Sequence, residues 1–278
     1  MPRKPREKSP TDHYHVMMRG INKERIFDNP KHKNFLLDLL ETHIKENNIE
    51  ILAYCIMNNH LHLVLQGDLT DISAALKKVN IRFAMRLNKD QDRVGHVFQD
   101  RYKSEVIYND QHLLQAIKYV HNNPVKAKMT NKPEDYKLSS YRFYLGKSDK
   151  VLSKGSREMI LEIAGGYNRF VDFHKANDYK EFIDTKEELE NNRLEHAQVV
   201  IAGFFKEHGI EEVGNSIKDS DLMEDLIEEL LEKSRLSHRR IADMLQVNSN
   251  IVHGISGRMN TEKQKEPSPM LGGRRRDD

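Results

Sequence analysis

The chain has one cysteine, no tryptophan and no apolar run approaching the roughly 18 residues that a membrane-spanning helix needs. With Cys55 alone, an internal disulfide and any zinc site built on several thiolates are excluded. The opening stretch is rich in Pro, Lys and Arg and lacks the apolar segment of a secretory signal. A cytoplasmic location and no membrane partner are therefore expected. Net charge is also small, +2 at neutral pH, but it conceals an asymmetry. Residues 1–150 carry 26 Lys/Arg against 18 Asp/Glu, a balance of +8, and residues 151–278 carry 19 against 25, a balance of −6. The basic half is the better candidate for contact with phosphates, although a solvated surface alone gives the same split.

Periodicity divides the chain further. Residues 1–12 read as a basic, flexible arm. Residues 14–19 read as a strand, and 30–47 as a helix with Phe35, Leu36, Leu39, Leu40 and Ile44 on its apolar face. Residues 49–66 exceed one ordinary strand, and Asn58-Asn59 supplies a turn, so a hairpin is expected. A helix over 71–88, a strand over 96–108 and a helix over 110–123 stopped by Pro124 complete the pattern. This is an α+β domain with a mainly antiparallel sheet, spanning 13–150. From 151 to 260 the pattern is all-α, and LSHRRIADMLQVNSNIVHGI at 236–255 has the form of a helix-turn-helix with Gln246 where glycine is common. Arg239, Asn248 and Asn250 are its candidate DNA contacts, while the acidic surroundings at Glu224, Asp225, Glu228 and Glu229 do not favour DNA approach, so duplex DNA and a protein both stand as partners of this region. Residues 261–278 read as a disordered tail.

Two local patterns carry chemistry. In His60-Leu61-His62, strand alternation sends both imidazoles to one face, where neutral rings suit a divalent metal. Such pairs also fill ordinary structural roles, and His13-Tyr14-His15 has the same spacing, so spacing does not decide. Context favours His60 and His62, because Leu61, Leu63 and Leu65 make the opposite face apolar. The second pattern is Tyr119 and Asn123, one helical turn apart on a stripe that flanks the Leu113, Leu114, Ile117, Val120 face. A partly buried tyrosine and a C-terminal asparagine cap would look the same.

Five blocks in order, RGINKERIF at 19–27, YCIMNNHLHLVL at 54–65, VFQDRYKS at 97–104, YVHNNPVKA at 119–127 and DYKLSSYRFY at 135–144, resemble single-tyrosine HUH transposases. The spacing is most similar to the branch of REP-associated tyrosine transposases. The resemblance covers roughly residues 13–146, and it implies a ferredoxin-like or RRM-like sheet. It also implies His60 and His62 as metal ligands, Asn123 as the third ligand, Tyr119 as the nucleophile, and Mg²⁺ or Mn²⁺ as the metal. The expected reaction is cleavage and strand transfer on single-stranded or hairpin DNA through a 5′-phosphotyrosine, by a monomer or homodimer. A phenol with an ordinary pKa near 10 needs help to ionise, and Lys103 and His112 are the candidates to give it. Arg82, Arg86, Arg101 and Lys103 are candidate backbone contacts, with Tyr102 or Tyr108 stacking on unpaired bases. The alternative is a DNA-binding regulator derived from such an enzyme, for which the catalysis is dispensable.

Overall fold

A computed structural model describes residues 6–176, 180–184, 186–210 and 220–263. Its N-terminal part follows local signals closely. Strand β1 (His13–Arg19) leads to helix α1 (Pro30–Lys45), which starts where the Asn29 side chain accepts from the Lys31 N–H and Pro30 takes the first helical position. The hairpin is β2 (Glu50–Ile56) and β3 (His60–Gln66), closed by a 2.9 Å bond from Met57 N–H to the His60 carbonyl. Helix α2 (Leu69–Asp90) is capped by Asp68 and buries Ile72, Leu76, Val79, Phe83 and Leu87 as a single stripe. Strand β4 (Lys103–Ile107) precedes α3 (Asp110–Lys126), whose cap is Asn109.

The strands form one antiparallel sheet in the order β2-β3-β1-β4. That order is what β-α-β-β-α-β connectivity produces, and it is the expected α+β, ferredoxin-like arrangement. Register pairs Met17 with His62 and His15 with Val64, so His15 shares the face of His60 and His62. Leu61, Leu63 and Leu65 are buried on the other face, with Tyr14, Val16 and Met18. Helix α3 packs on β2, β3 and β4.

Three local expectations are corrected. The strand over 96–108 is only Lys103–Ile107, because 100–102 interrupt the pairing. Pairing with the end of β1 is present again upstream, where Ile21 N–H meets the Val97 carbonyl at 2.9 Å and Gln99 N–H meets that of Arg19 at 3.0 Å. Pro124 does not stop α3, which runs on to Lys126. An interior proline costs about 3 kcal/mol; burial of Tyr119, Val120, Asn123 and Pro124 offsets it, and Ala127 N–H still reaches the Asn123 carbonyl at 2.9 Å. Residues 6–12 of the arm are packed rather than loose. Ser9 is buried with its hydroxyl on the Ile107 carbonyl at 2.9 Å, and the Arg6 guanidinium lies 3.8 Å from the Tyr102 ring centre.

Helices α4 (Tyr141–Tyr144), α5 (Lys154–Ile163) and α6 (Tyr167–Lys175) join the same core through Tyr144, Ile160 and Phe170. The first compact unit thus extends to Asp184, past the expected domain end at 150. The second unit holds α7 (Lys186–Glu207), α8 (Ser220–Lys233), α9 (His238–Leu245) and α10 (Ser249–Lys263), with a core of its own around Phe204, Leu226, Ile227, Leu230, Ile241 and Val252. Gln246 caps α9 at φ 54°, the left-handed region that favours glycine. Of the tail, residues 261–263 finish α10, and 264–278 lie outside the described residues.

Candidate metal and nucleophile site

Both strand histidines are fully buried, and their hydrogen bonds orient them. His60 Nδ1 lies 2.7 Å from Asn59 Oδ1, an acceptor, so the ring proton sits on Nδ1 and the Nε2 lone pair points onward. His62 Nδ1 lies 3.0 Å from His15 Nε2, and His15 Nδ1 faces Glu105 Oε2 at 3.6 Å. The carboxylate favours an N–H on His15 Nδ1. His15 Nε2 then accepts from His62 Nδ1–H, and the lone pair of His62 is left on Nε2. The Nε2 atom of His62 is buried and makes no hydrogen bond among the described residues. Burial first, and repulsion from His62 second, push His60 down to about 3, so its ring is neutral, as a metal ligand requires. His15 is lowered too, chiefly by burial.

Helix α3 presents Tyr119 to this face. Its ring centre is 5.8 Å from that of His62 and 5.8 Å from that of His15. Asn123, one turn later, is 3% exposed, and its Nδ2 has no hydrogen-bond partner among the described residues. The sequence places Tyr119 and Asn123 beside the apolar stripe. The structure buries them, because segment 180–184 covers Tyr119 and α6 also packs against α3.

Asp184 is the functional-site residue that the sequence does not reveal. It is 3% exposed, with Oδ1 3.6 Å from His62 Nε2 and 3.9 Å from His60 Nε2, while Oδ2 accepts the Tyr119 hydroxyl proton in a short hydrogen bond. The ligand atoms of His60, His62 and Asp184 all lie within 4.8 Å of one another, a buried donor set of two imidazoles and a carboxylate that fits a divalent cation. A lone aspartate in a non-periodic segment far along the chain carries no signal of its own.

The other candidates lie apart from this centre. Arg101 and Lys103 are exposed along a groove of about 890 Å³ at the β4 edge, which Arg6, Glu105, Tyr108 and Ile183 also line. Tyr108 is exposed, whereas Tyr102 is buried with its hydroxyl 2.6 Å from Ser73 Oγ. On the outer surface of α2, Arg82 is exposed and Arg86 pairs with Asp90 at 2.8 Å. His112 packs on Phe182 with ring centres 5.5 Å apart. Arg239, Asn248 and Asn250 are exposed in the second unit, and Asn248 Oδ1 accepts from the Asn250 N–H at 2.9 Å.

Residues 9–123 match the family model described as Transposase IS200 like. They form an IS200-like transposase domain. The domain contains His15, His60, His62, Glu105, Tyr119 and Asn123, and it ends before Asp184. No curated protein matches the chain. Among solved structures, the chain is similar to a REP-associated tyrosine transposase bound to a REP hairpin, with 14% identity over 55% of this chain and 92% of that one, at a TM-score of 0.46. It is also similar to a candidate transposase from Deinococcus radiodurans R1, with 20% identity over 44% of this chain and 97% of that one, at a TM-score of 0.30. The match supports a transposase-like role for these residues.

Proposed function

We propose that the transposase domain cuts and rejoins single-stranded or hairpin DNA through Tyr119, assisted by a divalent metal held by His60, His62 and Asn123. One observation carries this reading: two imidazole Nε2 atoms and a tyrosine hydroxyl face the same carboxylate, from two different elements. Mg²⁺ or Mn²⁺ bound there would act as a Lewis acid on the scissile phosphate.

The chain's own residues do the rest. Asn59 holds His60, and His15 with Glu105 holds His62, so neither ligand needs to reorganise when the phosphate arrives. The rigid helix α3 carries Tyr119 to the sheet face. Its phenolic oxygen forms a bond to phosphorus as the bond to the 3′ oxygen breaks; the phenol proton leaves to a nearby acceptor, and the departing 3′ oxygen takes up a proton. The products are a 5′-phosphotyrosine and a 3′-hydroxyl. Because the phosphodiester linkage is conserved, another 3′-hydroxyl can reverse the step, and the outcome is strand transfer rather than hydrolysis.

The test is to incubate labelled hairpin-bearing single strands with the protein and Mn²⁺, then resolve covalent adducts on a denaturing gel. The expected result is an adduct that needs metal, is absent in Tyr119→Phe and is severely reduced in His60→Ala. An adduct of undiminished yield in Tyr119→Phe overturns the proposal.

A further inference from the structure

The second unit separates its charges between its helices. Helix α8 carries six carboxylates against Lys233, whereas residues 234–261, which hold α9 and most of α10, carry four arginines against Asp243 alone. Part of the acidity is already neutralised: Glu224 pairs with Arg258 of α10, and Glu229 with Lys233 at 2.5 Å. Arg240 pairs with Glu190 of α7 at 2.9 Å, while Arg239 is exposed and has no ion-pair partner among the described residues.

The outer face of α10 holds no carboxylate among its described side chains. Val252 and Ile255 enter the core with Ile241 and Ala242, and at 100° per residue the opposite stripe is Asn250, His253, Gly254, Gly257 and Thr261, all exposed. Residues 246–248 join the two helices, with Val247 N–H on the Ala242 carbonyl at 3.0 Å and Asn248 Oδ1 accepting the Asn250 N–H at 2.9 Å. His238, the first residue of α9, meets His253 with their Nδ1 atoms 3.4 Å apart, so the start of α9, Arg239 included, borders that stripe. Gly254 and Gly257 weaken a helix, and a Cβ at either would meet nothing within 4 Å. Packing within the unit gives no reason for them; a ligand that approaches the backbone closely does.

We infer that α9 and α10 are a helix-turn-helix that binds duplex DNA, with the outer stripe of α10 in the major groove and Arg239 on a flanking phosphate. The major groove admits one α-helix, the Asn250 amide matches the paired acceptor and donor of an adenine edge, and a guanidinium neutralises a phosphate. The stripe holds no large apolar side chain to anchor a protein partner. This site is separate from the chemistry proposed for Tyr119 and does not rest on it.

The experiment uses the full chain and a fully paired, blunt duplex of randomised sequence, followed by anisotropy in EDTA across a salt series, with the bound fraction selected and sequenced. The wild type is expected to bind at low salt and to enrich a sequence. Gly254→Glu puts a carboxylate on the stripe without a clash and is expected to weaken binding by about tenfold or more. Val199→Glu, the same charge at an exposed position of α7, is expected to leave binding unchanged. Asn250→Ala is expected to relax selection at one base pair, and Arg239→Ala to weaken all sequences alike and reduce the salt slope by about one. Tyr119→Phe is expected to bind the duplex as the wild type does, which separates this inference from the proposed function. No duplex binding by the wild type at low salt overturns the inference and leaves the face to a protein. Undiminished binding in Gly254→Glu overturns it too, since another part of the chain would then hold the duplex.

Discussion

Glu105 touches no predicted ligand, yet it determines what His62 can do. Burial alone would raise its carboxyl, but the neighbouring His15, its Nδ1 3.6 Å away, outweighs that and holds it below the ordinary value. The ionised form selects one tautomer along the line from Glu105 through His15 to His62. Removing such a partner commonly weakens metal binding by roughly 10–100-fold. Glu105→Ala is therefore expected to weaken Mn²⁺ binding by that order, measured by titration, whereas Glu105→Gln, which can still accept from His15, is expected to lose much less. Equal affinities in wild type and Glu105→Ala would show that His62 is oriented without it. The same reasoning separates His15 from His13: identical spacing in the sequence, but only His15 meets His62, because β1 register sets it deep in the sheet and His13 at the strand's end.

Helix α6 is held to α3 by a chain of histidines. His174 Nδ1 donates to the Phe170 carbonyl at 2.8 Å, its Nε2 accepts from His121 Nδ1 at 3.0 Å, and His121 Nε2 accepts from the Ser140 hydroxyl at 2.9 Å. These donors and acceptors are matched with both rings neutral. Burial, and then the neighbouring His174, lower His121 well below its ordinary value; His15 and His60 are lowered by burial as well, His60 to about 3. The unfolded chain takes up these protons near pH 6.5 while the folded one does not, so it binds more protons throughout the interval below. Stability is full above about pH 6.5 and is lost as pH falls toward the folded values. Thermal melts from about pH 8 to 5 should show a falling melting temperature below pH 6.5. A melting temperature flat across that range would mean that the native state already accommodates the charged rings.

At the scale of the molecule, the described residues form two cores that share no residue. One runs from Tyr14 to Phe182 and the other from Ala197 to Ile255. Leu226 is fully buried in the second, and truncating such a leucine to alanine costs about 2–5 kcal/mol. Leu226→Ala is expected to lower one calorimetric transition and leave the other in place; a common shift of a single transition would show that the two units unfold together. None of the helices among the described residues is long and apolar enough to cross a membrane.

Local periodicity determined much of this protein. A two-residue period puts His60 and His62 on one face with leucines on the other, a helical period puts Asn123 one turn after Tyr119, and capping residues Asn29, Asp68 and Asn109 start three helices where the pattern asks for them. These features arise from neighbours in sequence, so the sequence displays them. Tertiary structure alone decided that His15 of the other His-x-His pair would stand behind His62, that a proline would be absorbed into α3, and that Asp184 and Phe182 would close over Tyr119. Those outcomes depend on contacts between distant segments, whose free energy comes from burial and matched hydrogen bonds, and no spacing along the chain records them.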